Sequence, residues 1–65
     1  MITEIGIVAG EIWNSLEKLG EVSFDELIKE IKRPKDIICM SLGWLAREGH
    51  VLLKKDGDDY KIRLR

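Results

Sequence analysis

The stretch from Pro34 to Gly49 constrains the fold of this chain more than any other segment. Ile38, Leu42 and Leu45 follow at intervals of four and three residues, so their side chains share one face of an α-helix. Pro34 suits the first turn of that helix, where a missing N–H costs nothing. Gly49 is suited to end it in a left-handed conformation. The sequence therefore predicts one continuous helix through this stretch, with a leucine-rich side that packs on the rest of the chain.

An earlier helix is predicted between Thr3, which can cap its start, and Gly20, which can end it. Trp13 falls beside the apolar stripe of this helix rather than in its centre. Two explanations remain open for this tryptophan: it covers the edge of a small core, or it anchors an interface with another protein. The stripe itself follows helical spacing and consists of Ile5, Val8, Ala9, Ile12, Leu16 and Leu19.

A short second helix is predicted to begin at Ser23, which forms a capping-box pattern with Glu26. Val22 and Leu27 occupy the two positions of a hydrophobic staple around the same start. The helix must end before Pro34, because the residue that precedes a proline is pushed away from helical geometry. The residues around Val22 can also add a brief strand to a later sheet.

After Gly49 the apolar period changes from 3.6 to 2 residues, which is the pattern of a β-hairpin. The predicted turn is the polar segment 56–59, whose glycine is free to adopt a positive φ. The apolar face of the hairpin is expected to lie on the helices, since an isolated two-stranded ribbon is barely stable in water. The apolar positions of the two strands are Val51, Leu53, Tyr60, Ile62 and Leu64.

The predicted order of elements is helix, short strand, helix, turn, helix and hairpin. This order, with the apolar spacing from Ile38 to Val51, resembles the winged helix-turn-helix pattern of many small bacterial and archaeal regulators. More narrowly, the segment 41–51, SLGWLAREGHV, resembles a group of short free-standing winged-helix proteins whose role is not established. The resemblance implies one α+β domain over residues 1–65, with three helices, a short first strand and a C-terminal two-stranded wing.

Charge is distributed unevenly along the chain, although the formal net charge is only −1. Residues 1–31 carry two lysines against seven acids, whereas residues 32–65 carry nine lysines or arginines against five acids. Such polarity can orient a domain against a polyanion even when the total charge is near zero. Nucleic acid is therefore a candidate partner for the C-terminal half.

In DNA-binding winged helices the third helix enters the major groove, and the flanking turn and wing contact the backbone. Carried over by position, the resemblance implies phosphate contacts from the turn and the wing, with double-stranded DNA as the partner. The basic residues at those positions are Lys32, Arg33, Lys35, Lys54, Lys55 and Arg63, with Lys61 as an alternative to Arg63. Solvated charges that balance nearby acids explain the same residues equally well.

The outward side of the third helix is predicted to carry Asp36, Met40, Gly43 and Arg47. Arg, Lys, Asn and Gln make the paired hydrogen bonds that read base edges, and only Arg47 belongs to that set. We therefore expect a transcription-regulator-like nucleic-acid-binding module with little base-specific readout. In this interpretation Met40, Gly43 and Arg47 face the groove.

A second interpretation uses one flank of the same helix, where Ile37, Met40, Ser41 and Trp44 recur at helical spacing. Either this flank packs on a neighbouring element, or it is an exposed apolar patch of the kind that marks a binding surface. A homodimer is the simplest such assembly, because two-fold dimers dominate among oligomers. With Trp13 added, the interface of this protein-interaction module without DNA binding would use Trp13, Ile37, Met40 and Trp44.

Length and composition argue against other classes of protein. No glycine-rich phosphate loop, pair of catalytic carboxylates or nucleophile motif is present, so we expect neither an enzyme nor a cofactor. One cysteine and one histidine cannot form a structural zinc site, so no metal is expected. Cys39 is expected to be a small buried apolar residue, and His50 a surface or capping residue. A cytoplasmic protein without membrane association is expected, because no apolar run could span a bilayer and one cysteine can form no internal disulfide.

Overall fold

The computed structural model describes residues 2–65, which form three helices and a three-stranded antiparallel sheet. The predicted α+β order of elements is confirmed, and the strands lie in the order β1-β3-β2, with β2 and β3 forming the wing. The helices are α1 (Ile2–Leu19), α2 (Phe24–Glu30) and α3 (Lys35–Arg47), and the strands are β1 (Val22–Ser23), β2 (Val51–Asp56) and β3 (Asp59–Leu64).

Helix α1 already includes Ile2, so Thr3 lies in its first turn and the prediction of a cap at Thr3 is wrong. The predicted end is confirmed, since the Gly20 N–H donates to the Leu16 carbonyl at 2.9 Å and Gly20 has a φ of 79°. Glycine adopts this left-handed conformation without the steric cost that a Cβ would add.

The capping box at the start of α2 is confirmed. The Ser23 N–H donates to Glu26 Oε1 at 2.8 Å, and the Glu26 N–H donates to Ser23 Oγ at 3.1 Å. These bonds satisfy backbone donors that a helix start leaves unpaired, and they lower the pKa of the Glu26 carboxyl because the Ser23 N–H binds its charged form. The box fixes where α2 leaves the sheet.

Helix α3 begins one residue later than predicted, and the predicted left-handed conformation of Gly49 beyond its end is confirmed. Pro34 is its N-cap rather than a residue of its first turn, and the last helical residue is Arg47. Gly49 then adopts a φ of 78°, with the His50 N–H donating to the Leu45 carbonyl at 2.9 Å. This is a Schellman motif, which satisfies the last carbonyls and turns the chain into β2.

The core lies where α1 packs against α3 and the sheet covers both. Ser41 is fully buried within this packing, and its Oγ has no hydrogen-bond partner among the described residues. The buried apolar side chains are Val8, Ala9, Ile12, Leu16, Val22, Leu27, Ile31, Ile37, Ile38, Leu42, Leu45, Val51 and Ile62.

The wing register assigns its side chains to two faces. Leu53 pairs with Ile62 and Lys55 pairs with Tyr60, so these four residues share the face that turns toward the helices. Ile62 is buried, but Leu53 is 45% exposed and Tyr60 is 42% exposed. The expectation that the whole apolar face of the hairpin lies on the helices is therefore wrong for its outer half, because a groove separates that half from α3.

Candidate nucleic-acid interface and two apolar grooves

The outward side of α3 is as predicted from the helical period. Asp36, Met40, Gly43 and Arg47 are all exposed to solvent. Arg47 is the only one of the four with the fork of N–H donors that reads a guanine edge. The exposed face of this helix therefore offers few groups that could distinguish base pairs.

A first groove runs between α3 and the inner face of the wing, and we call it the α3–wing groove. Its volume is about 270 Å³ and almost all of its surface is apolar. The side chains and the one glycine that line it are Phe24, Cys39, Leu42, Gly43, Leu53, Tyr60 and Ile62. Cys39 is exposed along this groove, so the prediction that it is buried is wrong.

Two lysines stand over the aromatic rings of the α3–wing groove. Lys35 Nζ lies 6.0 Å from the centroid of the Phe24 ring, and Lys55 Nζ lies 5.1 Å from the centroid of the Tyr60 ring. Both distances are within the range of a cation–π interaction. The groove thus combines an apolar floor with a positive charge at each of its two rings.

The remaining basic residues predicted to contact phosphate lie elsewhere. Lys54 and Arg63 are on the opposite face of the wing from Lys55, as the strand register requires. Lys32 and Arg33 lie beside Glu11 and Glu30 in the depression between α1 and the end of α2. The structure therefore distributes the six predicted phosphate contacts over three surfaces.

Arg33 is also engaged in a bidentate ion pair. Its Nη2 and Nε donate to the two carboxylate oxygens of Glu11 at 2.6 and 3.1 Å. The hydrogen bond from the guanidinium lowers the pKa of Glu11 and raises the pKa of Arg33, because each charged form stabilises the other. This pair attaches the turn before α3 to α1 and leaves Arg33 less available to a phosphate.

A second groove lies on the other side of α3, and we call it the α1–α3 groove. Trp13 is 38% exposed and Trp44 is 48% exposed at this groove, whose volume is about 290 Å³. The centroids of the Trp44 and His50 rings are 6.4 Å apart. A further depression of about 350 Å³ continues past Trp44 along Ile2 and Ile5. The groove is lined by Gly6, Ala9, Gly10, Trp13, Trp44, Leu45 and His50, none of which carries a formal charge when the histidine is neutral.

The predicted flank of α3 is divided by this packing. Ile37 and Ser41 are buried, whereas Met40 and Trp44 are exposed. Both interpretations of the flank therefore hold for part of it, and Ile37 belongs to the core rather than to an exposed interface. Trp44 instead lines the α1–α3 groove, to which α1 contributes Trp13.

Sequence reasoning missed the contribution of Phe24, Leu53 and Tyr60 to a shared groove. It placed Leu53 and Tyr60 on the apolar face of the hairpin, which was expected to lie on the helices. A usable signal was present in the hairpin, because a two-residue turn at Gly57-Asp58 pairs Lys55 with Tyr60 and so places an ammonium group beside a ring. The position of Phe24 opposite the wing follows only from the tertiary fold.

No helix within residues 2–65 combines the length and apolar character needed to cross a membrane. No three His, Cys, Asp or Glu side chains of the described part of the chain are grouped so that they could hold a metal ion.

Comparison with known proteins identifies the family. Residues 1–64 match the family described as "Winged helix-turn-helix domain (DUF2582)". A Methanocaldococcus jannaschii relative, "Uncharacterized protein MJ1608", is 35% identical over 65 residues, which span 95% of this chain and 91% of the relative. The solution NMR structure of protein BT2368 from Bacteroides thetaiotaomicron superposes with a TM-score of 0.82 at 26% identity, over 95% of this chain and 76% of that one. Domains of this type generally bind DNA rather than catalyse reactions. The chain belongs to this family of winged helix-turn-helix domains.

Proposed function

We propose that this protein is a nucleic-acid-binding module of the transcription-regulator type that acts in the cytoplasm and reads little base sequence. The observation that carries the proposal is the pair of lysines, Lys35 and Lys55, at the two sides of the groove between α3 and the wing. Positive charge within reach of phosphate oxygens is sufficient for binding that does not depend on sequence.

Weak base readout follows from the exposed residues of α3. Met40 and Gly43 offer no hydrogen-bond donor from their side chains, and Asp36 would repel a nearby phosphate. Arg47, at the end of the helix, is the exception. We expect a dissociation constant in the range of about 10⁻⁴ to 10⁻⁶ M at physiological salt, as is typical of non-specific binding.

The test is a fluorescence anisotropy titration of labelled duplex DNA at a series of salt concentrations. For the wild-type protein, the logarithm of the affinity should fall linearly with the logarithm of the salt concentration. In a K35Q/K55Q variant, the slope of log affinity against log salt should be less steep by about one unit for each phosphate that a lysine no longer neutralises. The matched control is K18Q/K29Q, which removes the same charge from α1 and α2 and should keep the wild-type slope.

Two results would count against the proposal. Affinity that does not fall as salt rises would exclude charge-driven binding altogether. Equal losses of affinity in K35Q/K55Q and K18Q/K29Q would show that the net charge of the protein, rather than the surface around α3 and the wing, governs binding.

A second candidate function is a homodimer, favoured by two half-exposed tryptophans in one uncharged groove. Tryptophan is the residue type most enriched among interface hot spots, and two copies that meet at this groove bring no like charges of its lining together. A standard interface buries about 800 Å² on each partner, so Trp13 and Trp44 would form the centre of a larger contact.

Sedimentation velocity tests the homodimer over micromolar to high micromolar concentrations. The candidate predicts a dimer that W44A converts to monomer, whereas Y60A, which truncates an aromatic side chain at the other groove, leaves it intact. A wild-type protein that stays monomeric at the highest concentration would exclude this candidate.

A further inference from the structure

We infer that the α3–wing groove binds an unpaired base, and that single-stranded nucleic acid is the form this protein prefers. The inference rests on the proposed function and names its ligand more narrowly. It follows from three properties of the groove: its aromatic rings and their lysines, its size, and the glycine in its floor.

The rings of Phe24 and Tyr60 supply apolar surfaces on which a base can stack. Stacking requires a flat π-face and no hydrogen-bond donor, so it is available to every base. Lys35 and Lys55 now lie over these rings, and each ends a flexible four-carbon stem. Rotation of that stem uncovers the ring and leaves the ammonium group free to contact the phosphate attached to the stacked base.

The size of the groove fits one planar group. A volume of about 270 Å³ lies just below the range of about 300–1,000 Å³ that is typical of small-molecule pockets. A single planar base can enter a space of this size.

Gly43 opens the floor of the groove in the middle of α3. A Cβ at this position would meet no atom within 4 Å, so packing within the protein does not require a glycine. The same open space is found at Gly6 and Gly10 of α1, so it is the position of Gly43 in the lining of this groove that bears on the ligand. The missing side chain lets a flat group approach the helix backbone.

Asp59, the acid next to Tyr60 in the sequence, accepts hydrogen bonds from the N–H of Tyr60 at 2.7 Å and from the N–H of Asp25 at 3.4 Å. The second bond links the wing to the start of α2 and so connects the two elements that carry Tyr60 and Phe24.

The experiment compares a labelled single strand of about 15 nucleotides, within the range of site sizes known for such proteins, with its own duplex at one salt concentration. A DNA strand and an RNA strand of the same sequence distinguish the two sources of unpaired bases. We expect the wild-type protein to bind a single strand more tightly than the duplex. The Tyr60 ring and Leu53 methyl resonances should shift on binding, because a stacked base imposes its ring current on both.

Two variants and one control locate the binding. Y60L removes the ring but keeps an apolar side chain, and should weaken single-strand binding about five- to hundred-fold, as loss of one base stack does. G43A adds a methyl group to the groove floor without a clash inside the protein, and should also weaken it. G10A makes the same change in α1 and should leave the affinity unchanged.

The outcomes separate this inference from the proposed function. Salt-dependent duplex binding with no preference for single strands, and no effect of Y60L or G43A, would overturn the inference and leave the function standing. No salt-dependent binding of either form would overturn both. An acidic amphipathic peptide that binds in a G43A-sensitive way, while single strands do not bind, would assign the groove to a protein partner instead.

Discussion

The two sides of α3 carry grooves of similar volume and different character. The α3–wing groove has two aromatic rings with a lysine over each, whereas the α1–α3 groove has two tryptophans and no formal charge in its lining. Both are apolar, and each includes a helical glycine whose missing Cβ leaves open space, Gly43 in one and Gly10 in the other. Apolar character alone therefore does not indicate which partner a groove takes.

The charges around each groove follow from the secondary structure of the elements that line it, because a strand and a helix bring different residues to one face. In a strand, every second residue turns to the same face, so the inner face of the wing carries Lys55 together with Leu53 and Tyr60. In α1, the face beside α3 follows helical spacing through Gly6, Gly10 and Trp13, and Glu17 continues the same face one turn beyond Trp13. The wing places a cation beside a ring of its groove, whereas the charge on that face of α1 lies outside the groove lining.

The largest expected effect comes from a change that undermines both grooves at once. Ile38 is fully buried on the core side of α3, and I38A should lower the free energy of unfolding by about 2–5 kcal/mol. A domain of this size has little stability to lose, so the variant is expected to be partly or wholly unfolded. Urea denaturation followed by circular dichroism measures the change.

The matched control for I38A is M40A, which truncates an exposed side chain of the same helix. Surface substitutions of this kind usually change stability by no more than about 0.5 kcal/mol. Similar losses of stability in the two variants would mean that α3 does not pack through the face that the structure assigns to the core.

A smaller change in the free energy of unfolding is expected for two variants that both remain folded, one in each groove. G43A and G10A each replace a helical glycine in open space, and each should raise the free energy of unfolding by about 0.8–1 kcal/mol. Thermal unfolding of the two variants measures this gain. Equal gains in stability, combined with weaker single-strand binding only in G43A, would sharpen the contrast between the grooves. A lower stability of either variant would mean that its groove is less open than described.

Much of the fold could be predicted from the sequence because the signals were local. Each of these signals involves residues that are close together in the chain. They are the capping box at Ser23, the left-handed glycines Gly20 and Gly49, and the change of apolar period after α3. The helix bounds were less predictable. Pro34 is compatible with the N-cap and with the first turn of α3, and only the surrounding structure determines that it is the N-cap.

The candidate sites were less predictable because they depend on distant neighbours. A helical wheel places Ile37 and Trp44 on one flank, but the tertiary packing buries Ile37 and leaves Trp44 half-exposed. Cys39 lies at the edge of the core face, and its burial depends on whether the wing reaches it. Likewise, Arg33 is a plausible phosphate contact until Glu11, 22 residues away, is found at 2.6 Å.

The smallest expected effect is a pH dependence with two sources, one in the depression between α1 and the end of α2 and one at the start of α2. Arg33 lowers the pKa of Glu11 at the attachment of the turn to α1, and the Ser23 N–H lowers the pKa of Glu26 at the start of α2 next to the wing. A carboxyl whose pKa is lower in the folded state stabilises the protein above its unfolded pKa, and that contribution disappears as the pH falls through the folded pKa.

Stability should therefore decline below about pH 4.3, the ordinary glutamate pKa, in thermal unfolding measured from pH 7 downward. E11Q and E26Q should each lower the melting temperature at pH 7 and flatten the acid limb, since neither glutamine titrates. Amide resonances also identify which carboxylate is involved: E11Q should perturb those around Arg33 in the turn before α3, and E26Q those around Ser23 at the start of α2. Acid limbs as steep as that of the wild type in both variants would place the linked protons on other carboxylates.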